Sequence, residues 1–474
     1  MPTPARRAAF AILLRVETQA SYASELLHSP LTAGLSAPDA ALATELVLGT
    51  LRRQNTLDFI AQQLTRFDSA PRLRSGQAHH RRQNWASLDA EVRVALRLGL
   101  YQLRFLTRMP PRAAVNETVE LVKTAGKRSA AGMVNAVLRK GAGVEWASLR
   151  PAAMSDSEWV AIENSHPAWL LARWERRYGR DAALSLARAN NQPATAFLRS
   201  NSPTRSLAEV EQQLRDQGVE LRSGNFLKDC RAVAQGNITR TEFYRRGEIV
   251  AQDEASQMVP LLLDVREGQS ALDLCAAPGN KTAQLARWVG ASGRVIAGDL
   301  HWHRLREMTP LPPHARVWKV ALDGCQPLPF RNRFDRILVD APCSGTGTLR
   351  RHPEIKWRLQ PADVQDLSQK QLRLLESAAA ALETGGRMVY STCSLEPEEN
   401  QDVIERFLNE HPAFRLLPLR EDAGRLEPFF LPAAAAILEK DYLETLPDRD
   451  GTDGFFAAIL VKTPSRRKAE SNDP

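Results

Sequence analysis

The sequence predicts a multidomain chain: an all-α N-terminal bundle, a small α+β module, and a C-terminal α/β part with a doubly wound, mostly parallel sheet. Three observations carry that expectation. The chain has 474 residues, enough for roughly three domains at about 150 residues each. Its composition, 43% hydrophobic and 25% charged, is that of folded globular proteins and excludes a mainly disordered chain. The apolar pattern also changes along the chain, from helical spacing to short apolar runs alternating with helices.

Residues 1–145 form the helical part. Leu42, Leu46 and Gly49 recur on one helix face, and Ser36 with Asp39 makes a capping-box start for it. Val92, Leu96, Leu100 and Leu103 repeat the spacing, and a shorter helix is expected after Asn116. Between them, Arg72–Asn84 is polar, basic and without a period, so it is expected to be a mobile loop. His79 and His80 within it read as loop residues rather than metal ligands.

Residues 146–165 carry Pro151, Ser155 and Ser157 and no clear period, which predicts a linker. Residues 166–245 mix types, with a helix through Trp169–Tyr178, a strand at Ala196–Arg199 and a helix at Leu207–Gln217. Strand, loop and helix then repeat over residues 246–463. The apolar run Ala271–Leu274 is followed by a Pro-Gly loop and the helical Thr282–Val289. Further strands are expected at Arg294–Gly298, Val317–Ala321, Arg336–Val339 and Arg387–Tyr390, with a late one at Phe455–Val461. The tail, 464–474, is expected to be disordered.

Net charge is +8, but residues 1–150 hold 21 basic and 11 acidic side chains, against 42 and 44 in the remainder. The surplus is therefore N-terminal, and a basic module on a near-neutral body suggests a polyanion partner, most often nucleic acid. Five cysteines without a C-x-x-C pair argue against a disulfide framework and a zinc site. No stretch reaches the roughly 18 apolar residues of a membrane span, and the basic start lacks the apolar core of a signal peptide. A cytoplasmic chain with reduced thiols, no metal and no membrane partner is expected.

Ligands of open α/β sheets bind beyond the C-terminal strand ends. Four acids sit there: Asp273, Asp299, Asp323 and Asp340. The loop Cys275–Lys281 (CAAPGNK) follows the first strand with small residues that allow close backbone approach. A triphosphate loop fails because Asn280 separates Gly279 from Lys281, and G-x-G-x-x-G is absent. Several acids would repel a pyrophosphate, whereas S-adenosylmethionine offers a ribose, an adenine and a sulfonium cation. Asp299 suits the ribose hydroxyls, Asp323 the adenine amino group, and Asp340 the methionine part. The plainer alternative is that such acids cap helices.

Cys343 lies just past the fourth strand in DAPCSGTGTL, and Cys393 just past the fifth in YSTCS. Both would overhang the same cleft. C5 of a pyrimidine is a weak nucleophile towards a methyl sulfonium. A thiolate adding at C6 makes C5 enamine-like, dividing one difficult step into two easier ones. A second group then helps to break the adduct. Cys230, Cys275 and Cys325 read as small buried hydrophobes. The residues leave open which of Cys343 and Cys393 attacks.

At these residues the sequence resembles the Sun-type family of RNA cytosine-5 methyltransferases. The resemblance covers nearly the whole chain. Ala41–Arg53 (ALATELVLGTLRR), Leu96–Leu103 (LRLGLYQL) and Ala113–Leu121 (AAVNETVEL) look like a NusB-type helical RNA-binding domain. Gln252–Ser256 (QDEAS), Leu272–Thr282 (LDLCAAPGNKT), Asp340–Trp357 (DAPCSGTGTLRRHPEIKW) and Ser391–Asn400 (STCSLEPEEN) resemble its catalytic part. The resemblance implies a NusB-like domain, a small RRM-like module and a Rossmann-like class I methyltransferase domain. It implies Cys393 as nucleophile and Cys343 as the residue that helps release product. It further implies S-adenosylmethionine contacts from Cys275, Ala276, Ala277, Pro278, Gly279, Asn280 and Lys281, and from Asp299, Asp323 and Asp340. Asn280 departs from the family's usual Gly; Asn tolerates positive φ, so a weak effect on affinity is expected.

The implied substrate is 16S ribosomal RNA, free or in a small-subunit assembly intermediate, bound by a monomer. A tRNA substrate, or an inactive RNA-binding assembly factor, are the alternatives. Arg331, Arg333, Arg336, Arg350, Arg351, Lys356 and Arg358 form a local basic concentration in the sequence, and Arg350 and Arg351 are expected to hold phosphates beside the target cytosine. The target base must leave any stack for a thiol to reach C6.

Overall fold

Gly49 and Tyr101 show how closely the N-terminal helices meet. A Cβ on Gly49 would fall 2.0 Å from the Tyr101 hydroxyl oxygen, so only glycine admits the ring, whose hydroxyl donates to Glu45. The computed structural model describes residues 1–67, 85–202, 205–308, 311–312 and 315–464, with the side chains of residues 66 and 67 left out. The expected loop Arg72–Asn84 and the tail beyond residue 464 lie outside them. The chain divides into two units, residues 1–193 with 349–358, and residues 194–348 with the chain from 359 onward.

The first unit is helical. Pro4–Gln19, Ala37–Arg52, Gln54–Phe67, Ala90–Phe105, Pro111–Thr124 and Ala131–Gly141 surround a core that includes Ile12, Leu46, Ile60, Leu96, Leu98 and Val137. Ser36 caps the second of these, accepting from the Asp39 amide at 3.3 Å. The helix expected after Asn116 begins earlier, at Pro111, whose fixed φ suits a first helical position. The expected linker 146–165 is instead part of this unit. Ser155 starts a helix, Asp156–Glu163, with a full capping box. Trp146 stacks on Trp159 with ring centroids 4.5 Å apart, and Phe59 meets both edge-on. Two helical turns are too short for a period to show in the sequence. Helices Ala168–Tyr178 and Arg180–Asn190 also pack in this unit.

Residues 349–358 are woven into the same unit. Lys356 is buried and donates to the carbonyls of Arg52 and Ser165, both at 2.9 Å, and to Asn191 Oδ1 at 3.1 Å. These acceptors lie at or just beyond the C-terminal ends of three helices, where a cation is favoured. Trp357 donates to the Leu51 carbonyl at 2.9 Å, and Arg358 to those of Val16 and Ala20, each at 2.9 Å.

The second unit holds two sheets. Strands β1 (Phe197–Ser200), β2 (Glu220–Ser223), β3 (Cys230–Gln235) and β4 (Ile249–Ala251) pair antiparallel in the order β2-β3-β1-β4. With helices Leu207–Asp216 and Glu242–Arg245 they make a β-α-β-β-α-β module. The module runs to residue 251 rather than 245, because β4 pairs with β1 through Leu198 and Ala251.

The larger sheet contains β5 (Ser270–Asp273), β6 (Arg294–Asp299), β7 (Val317–Ala321), β8 (Phe334–Asp340), β9 (Leu382–Thr392), β10 (Phe414–Leu416), β11 (Leu443–Thr445) and β12 (Phe455–Lys462). Their order is β10-β12-β9-β8-β5-β6-β7, with β11 beside β12. Strands β5 to β9 are parallel, and β12 joins β9 antiparallel. Ala271, Leu338, Val389 and Ile459 face one core, while Leu272, Val339, Tyr390 and Leu460 face the other. Burial on both faces explains the unbroken apolar runs. Chain direction across the sheet reverses between β5 and β8, which opens a crevice at their C-terminal ends. Among the described residues no helix is long and apolar enough to cross a membrane.

Candidate active site

Register brings the strand ends level, with Asp273 opposite Leu338 and Asp340 opposite Ser391. Asp273 is buried; its Oδ2 accepts from the Thr282 hydroxyl at 2.7 Å, and its Oδ1 has no donor among the described residues. Burial first, then the nearby Asp340 and Asp299 charges, push this carboxyl up to about 7 against the pull of the Thr282 hydroxyl and Lys281. Asp299, also buried, accepts from the backbone amides of His301 at 3.0 Å and Ala277 at 3.3 Å. Asp340 sits between two loops, bonded to Lys281 Nζ at 2.7 Å and to the Ser391 hydroxyl at 2.6 Å. Asp323 is exposed two residues beyond β7 and accepts from the Cys325 amide at 3.0 Å.

The loop Cys275–Lys281 folds under these acids. The Ala276 amide donates to the Gly298 carbonyl at 2.8 Å, and the Gly279 amide to that of Ala276 at 2.7 Å. Cys275 is partly buried, and burial pushes its thiol up; Pro278 is exposed. Positive φ falls on Gly279, at +98°, where a Cβ would also meet Met308 at 2.7 Å. Asn280 opens the following helix instead, so the φ tolerance expected of Asn is not needed here. Its side chain reaches the Ala251 carbonyl of β4 at 3.4 Å. The crevice fits S-adenosylmethionine: an unpaired buried carboxylate oxygen and neighbouring acids favour a cation over phosphates.

Cys343 and Cys393 leave the adjacent parallel strands β8 and β9, and both are free thiols. Their sulfurs lie 3.3 Å apart. The hydrogen bond to Cys393 and burial keep the Cys343 thiol protonated. Glu399 ties the two loops together. It accepts from the Ser344 amide at 2.8 Å, from the Ser344 hydroxyl, from the Ser394 hydroxyl at 2.5 Å and from Gln371 Nε2 at 2.9 Å. Gly347 lies against the second loop, its amide 2.9 Å from the Cys393 carbonyl. A Cβ there would fall 2.1 Å from the Gly454 carbonyl oxygen.

The residues of the expected basic concentration divide between the two units. Arg331, Arg333 and Arg336 lie at the start of β8, a seven-residue strand spanning about 20 Å at roughly 3.3 Å per residue, while Cys343 follows its end. Arg336 donates to the Asp264 carbonyl at 3.0 Å, and Arg333 to that of Leu382 at 3.2 Å. Arg350, Arg351, Lys356 and Arg358 belong to the first unit. Arg350 is buried, with its carbonyl accepting from Arg52 at 2.8 Å, and Arg351 is half-buried.

The sequence carries three family signatures. A 16S rRNA methyltransferase RsmB/F model matches residues 260–461, a NusB family model residues 3–142, and an RsmF/B-like ferredoxin-like domain model residues 166–237. A probable ribosomal RNA small subunit methyltransferase B of Bacillus subtilis is 34% identical over 469 residues, covering 97% of this chain and 99% of the relative. This chain belongs to the ribosomal RNA small subunit methyltransferase B family. The Yersinia enterocolitica ribosomal RNA small subunit methyltransferase B is also 34% identical, covering 90% of this chain and 92% of that protein. The crystal structure of PH0851 shares the fold, with a TM-score of 0.78 over 98% of this chain and 99% of that one, at 24% identity. S-adenosylmethionine is the methyl donor of this family. The ferredoxin-like match starts at residue 166, where the module was expected, and so takes in two helices that pack with the N-terminal unit.

Sequence reasoning passed over Glu399, Ser344, Ser394 and Gln371, which brace the thiol loops. It also passed over Arg199 in β1, a buried guanidinium that donates to the Asn280 carbonyl at 2.9 Å and to Gln252 at 2.8 Å. The two serines follow their cysteines directly, a symmetry visible in PCSG and TCSL. Nothing in a single strand marks Arg199.

Proposed function

We propose that this chain methylates C5 of a specific cytosine in 16S ribosomal RNA through a covalent adduct between Cys393 and C6. The observation that carries the reading is the pair of sulfurs 3.3 Å apart at the ends of neighbouring parallel strands. Either thiol can donate to the other across this contact, and the assignment of Cys393 as the attacking residue follows the family resemblance. Its addition to C6 leaves C5 electron-rich and able to take a methyl group. Bound S-adenosylmethionine supplies an electrophilic methyl on its sulfonium. Methyl transfer would leave S-adenosylhomocysteine, and passage of the C5 proton to a base beside the ring, the place we propose for Cys343 as thiolate, would let the C6–sulfur bond to Cys393 break with return of its electron pair to sulfur and restore the ring.

Asp299 is suited to the ribose hydroxyls, Asp323 to the adenine amino group, and Asp340 with Lys281 to the charged methionine end. The backbone of Cys275, Ala276, Ala277, Pro278, Gly279 and Asn280 would line the cofactor. The N-terminal domain and the small module would grip the RNA, free or in an assembling small subunit, with the enzyme acting as a cytoplasmic monomer. Arg350 and Arg351 are the proposed phosphate contacts beside the target cytosine, with Arg351 the less buried of the two.

Bisulfite sequencing of 16S rRNA and tRNA from a deletion strain tests this. One 16S cytosine should lose its C5 mark and regain it with the wild-type gene, but not with Cys393→Ala. Loss confined to tRNA would reassign the substrate, and survival of every C5 mark would refute the enzymatic reading.

A further inference from the structure

Cations inside the N-terminal unit are of two kinds. Arg6 is paired with Glu117 at 2.9 Å, and Arg97 with Asp58 at 2.5 Å and Glu17 at 2.7 Å. Arg52, Arg53 and Lys356 have no carboxylate within ion-pair distance among the described residues. Arg52 and Lys356 are buried and spend their donors on carbonyls and one amide oxygen. The guanidinium of Arg53 lies over the Phe105 ring, 5.0 Å from its centroid. Burial, together with the Arg53 and Arg52 charges, lowers the proton affinity of Lys356. Like charges gathered in a low-dielectric interior are costly, and an anion bound beside them offsets that cost.

One of the three, Arg53, also lines a place for an anion. A cavity of about 480 Å³ is lined by Arg53, Arg188, Asn164, Gln192 and Leu184, with Glu163 on its wall. That volume lies within the range of about 300–1,000 Å³ typical of ligand sites. Arg188 and Gln192 are exposed. Guanidinium groups match phosphate oxygens in charge and geometry.

We propose that this cavity is a phosphate-binding site for the substrate RNA, in which Arg53 and Arg188 hold backbone phosphodiesters of a single-stranded segment. RNA is favoured over other anions because the N-terminal 150 residues hold 21 basic against 11 acidic side chains and the family acts on ribosomal RNA. The proposal rests on that reading of the substrate.

The test uses the full-length chain and a short single-stranded oligoribonucleotide, with affinity followed by fluorescence anisotropy across a salt series. Arg188→Gln should weaken binding several-fold at low salt and flatten the log–log salt slope by about 0.7 for each phosphate no longer neutralised. Arg53→Gln should act in the same direction. Arg266→Gln, which removes an exposed arginine paired with Asp264, should leave the slope unchanged. A wild-type slope and affinity in Arg188→Gln would overturn the proposal, as would equal flattening in Arg266→Gln, which would mean diffuse surface charge. Methylation of 16S rRNA is assayed on the same preparations. Intact methylation without a slope change removes this site alone, whereas a slope change in Arg188→Gln beside a wild-type protein that methylates no cytosine supports the site and removes the cytosine-C5 reading.

Discussion

The strand ends of the methyltransferase domain and the interior of the N-terminal unit gather opposite kinds of charge, although Asp340 is paired with Lys281 at 2.7 Å and Asp299 with Arg304 at 3.4 Å. At the strand ends Asp273, Asp299 and Asp340 gather around one crevice, and Asp273 keeps a buried oxygen with no donor among the described residues. In the N-terminal unit Arg52, Arg53 and Lys356 gather with no carboxylate within ion-pair distance among the described residues, Glu163 being the acid on the wall of the Arg53 cavity. Structural ion pairs elsewhere in the chain are closed: Asp422, for example, is shared by Arg387 and Arg425. Charge left open on one side marks where a ligand of the other sign would stabilise the fold, a sulfonium in one region and a phosphate in the other.

The largest effect is expected where the acidic region meets the thiols. Glu399→Ala removes the acceptor shared by Ser344 and Ser394 and frees the two loops to move apart. A misplacement of about 1 Å can cost on the order of 10²-fold in rate, so kcat should fall by that factor while RNA affinity stays near wild type. Glu399→Gln should recover much of the loss, because its carbonyl can still accept from the Ser344 amide and Gln371 while its amide N–H donates to the Ser344 and Ser394 hydroxyls, which can turn to accept. Wild-type turnover in Glu399→Ala would separate the loop brace from catalysis.

A smaller effect sharpens the contrast between open and closed charge. Asp273 titrates near 7 in the fold and about 3.9 when unfolded. The native state therefore binds more protons between these values, and stability falls as pH rises from about 4 to 7, by at most about 1.4 kcal/mol per unit. Asp273→Asn should remove that slope, so its Tm should exceed wild type at pH 8 and approach it near pH 4. Equal pH dependence in the two proteins would mean that Asp273 is not the open charge.

The acidic region was legible in the sequence because its parts are local. A strand, an acid at its end and a small-residue loop lie within about ten positions, and β8 and β9 each deliver a cysteine in the same way. The brace was not legible, since Glu399 and Ser344 stand 55 positions apart and meet only once β8 and β9 pair. Neither was the fate of residues 349–358. Their arginines follow Cys343 in sequence, yet they fold into the N-terminal unit, where Lys356 closes three helix ends. For the same reason, deleting residues 1–145 would strip Lys356 and Trp357 of main-chain partners, so it would not cleanly isolate the catalytic domain. The linker failed for a different reason: its helix spans eight residues, and its packing rests on Trp146 and Trp159 rather than on a repeating face.

The most direct measurement is the covalent trap. Cys343→Ala and Cys393→Ala proteins are each incubated with 16S rRNA and S-adenosylmethionine and resolved on a denaturing gel. With Cys393 as nucleophile and Cys343 assisting release, Cys343→Ala should accumulate a slow-migrating protein–RNA adduct, while Cys393→Ala should form none and lose methylation. An adduct that persists in Cys393→Ala would contradict the assignment.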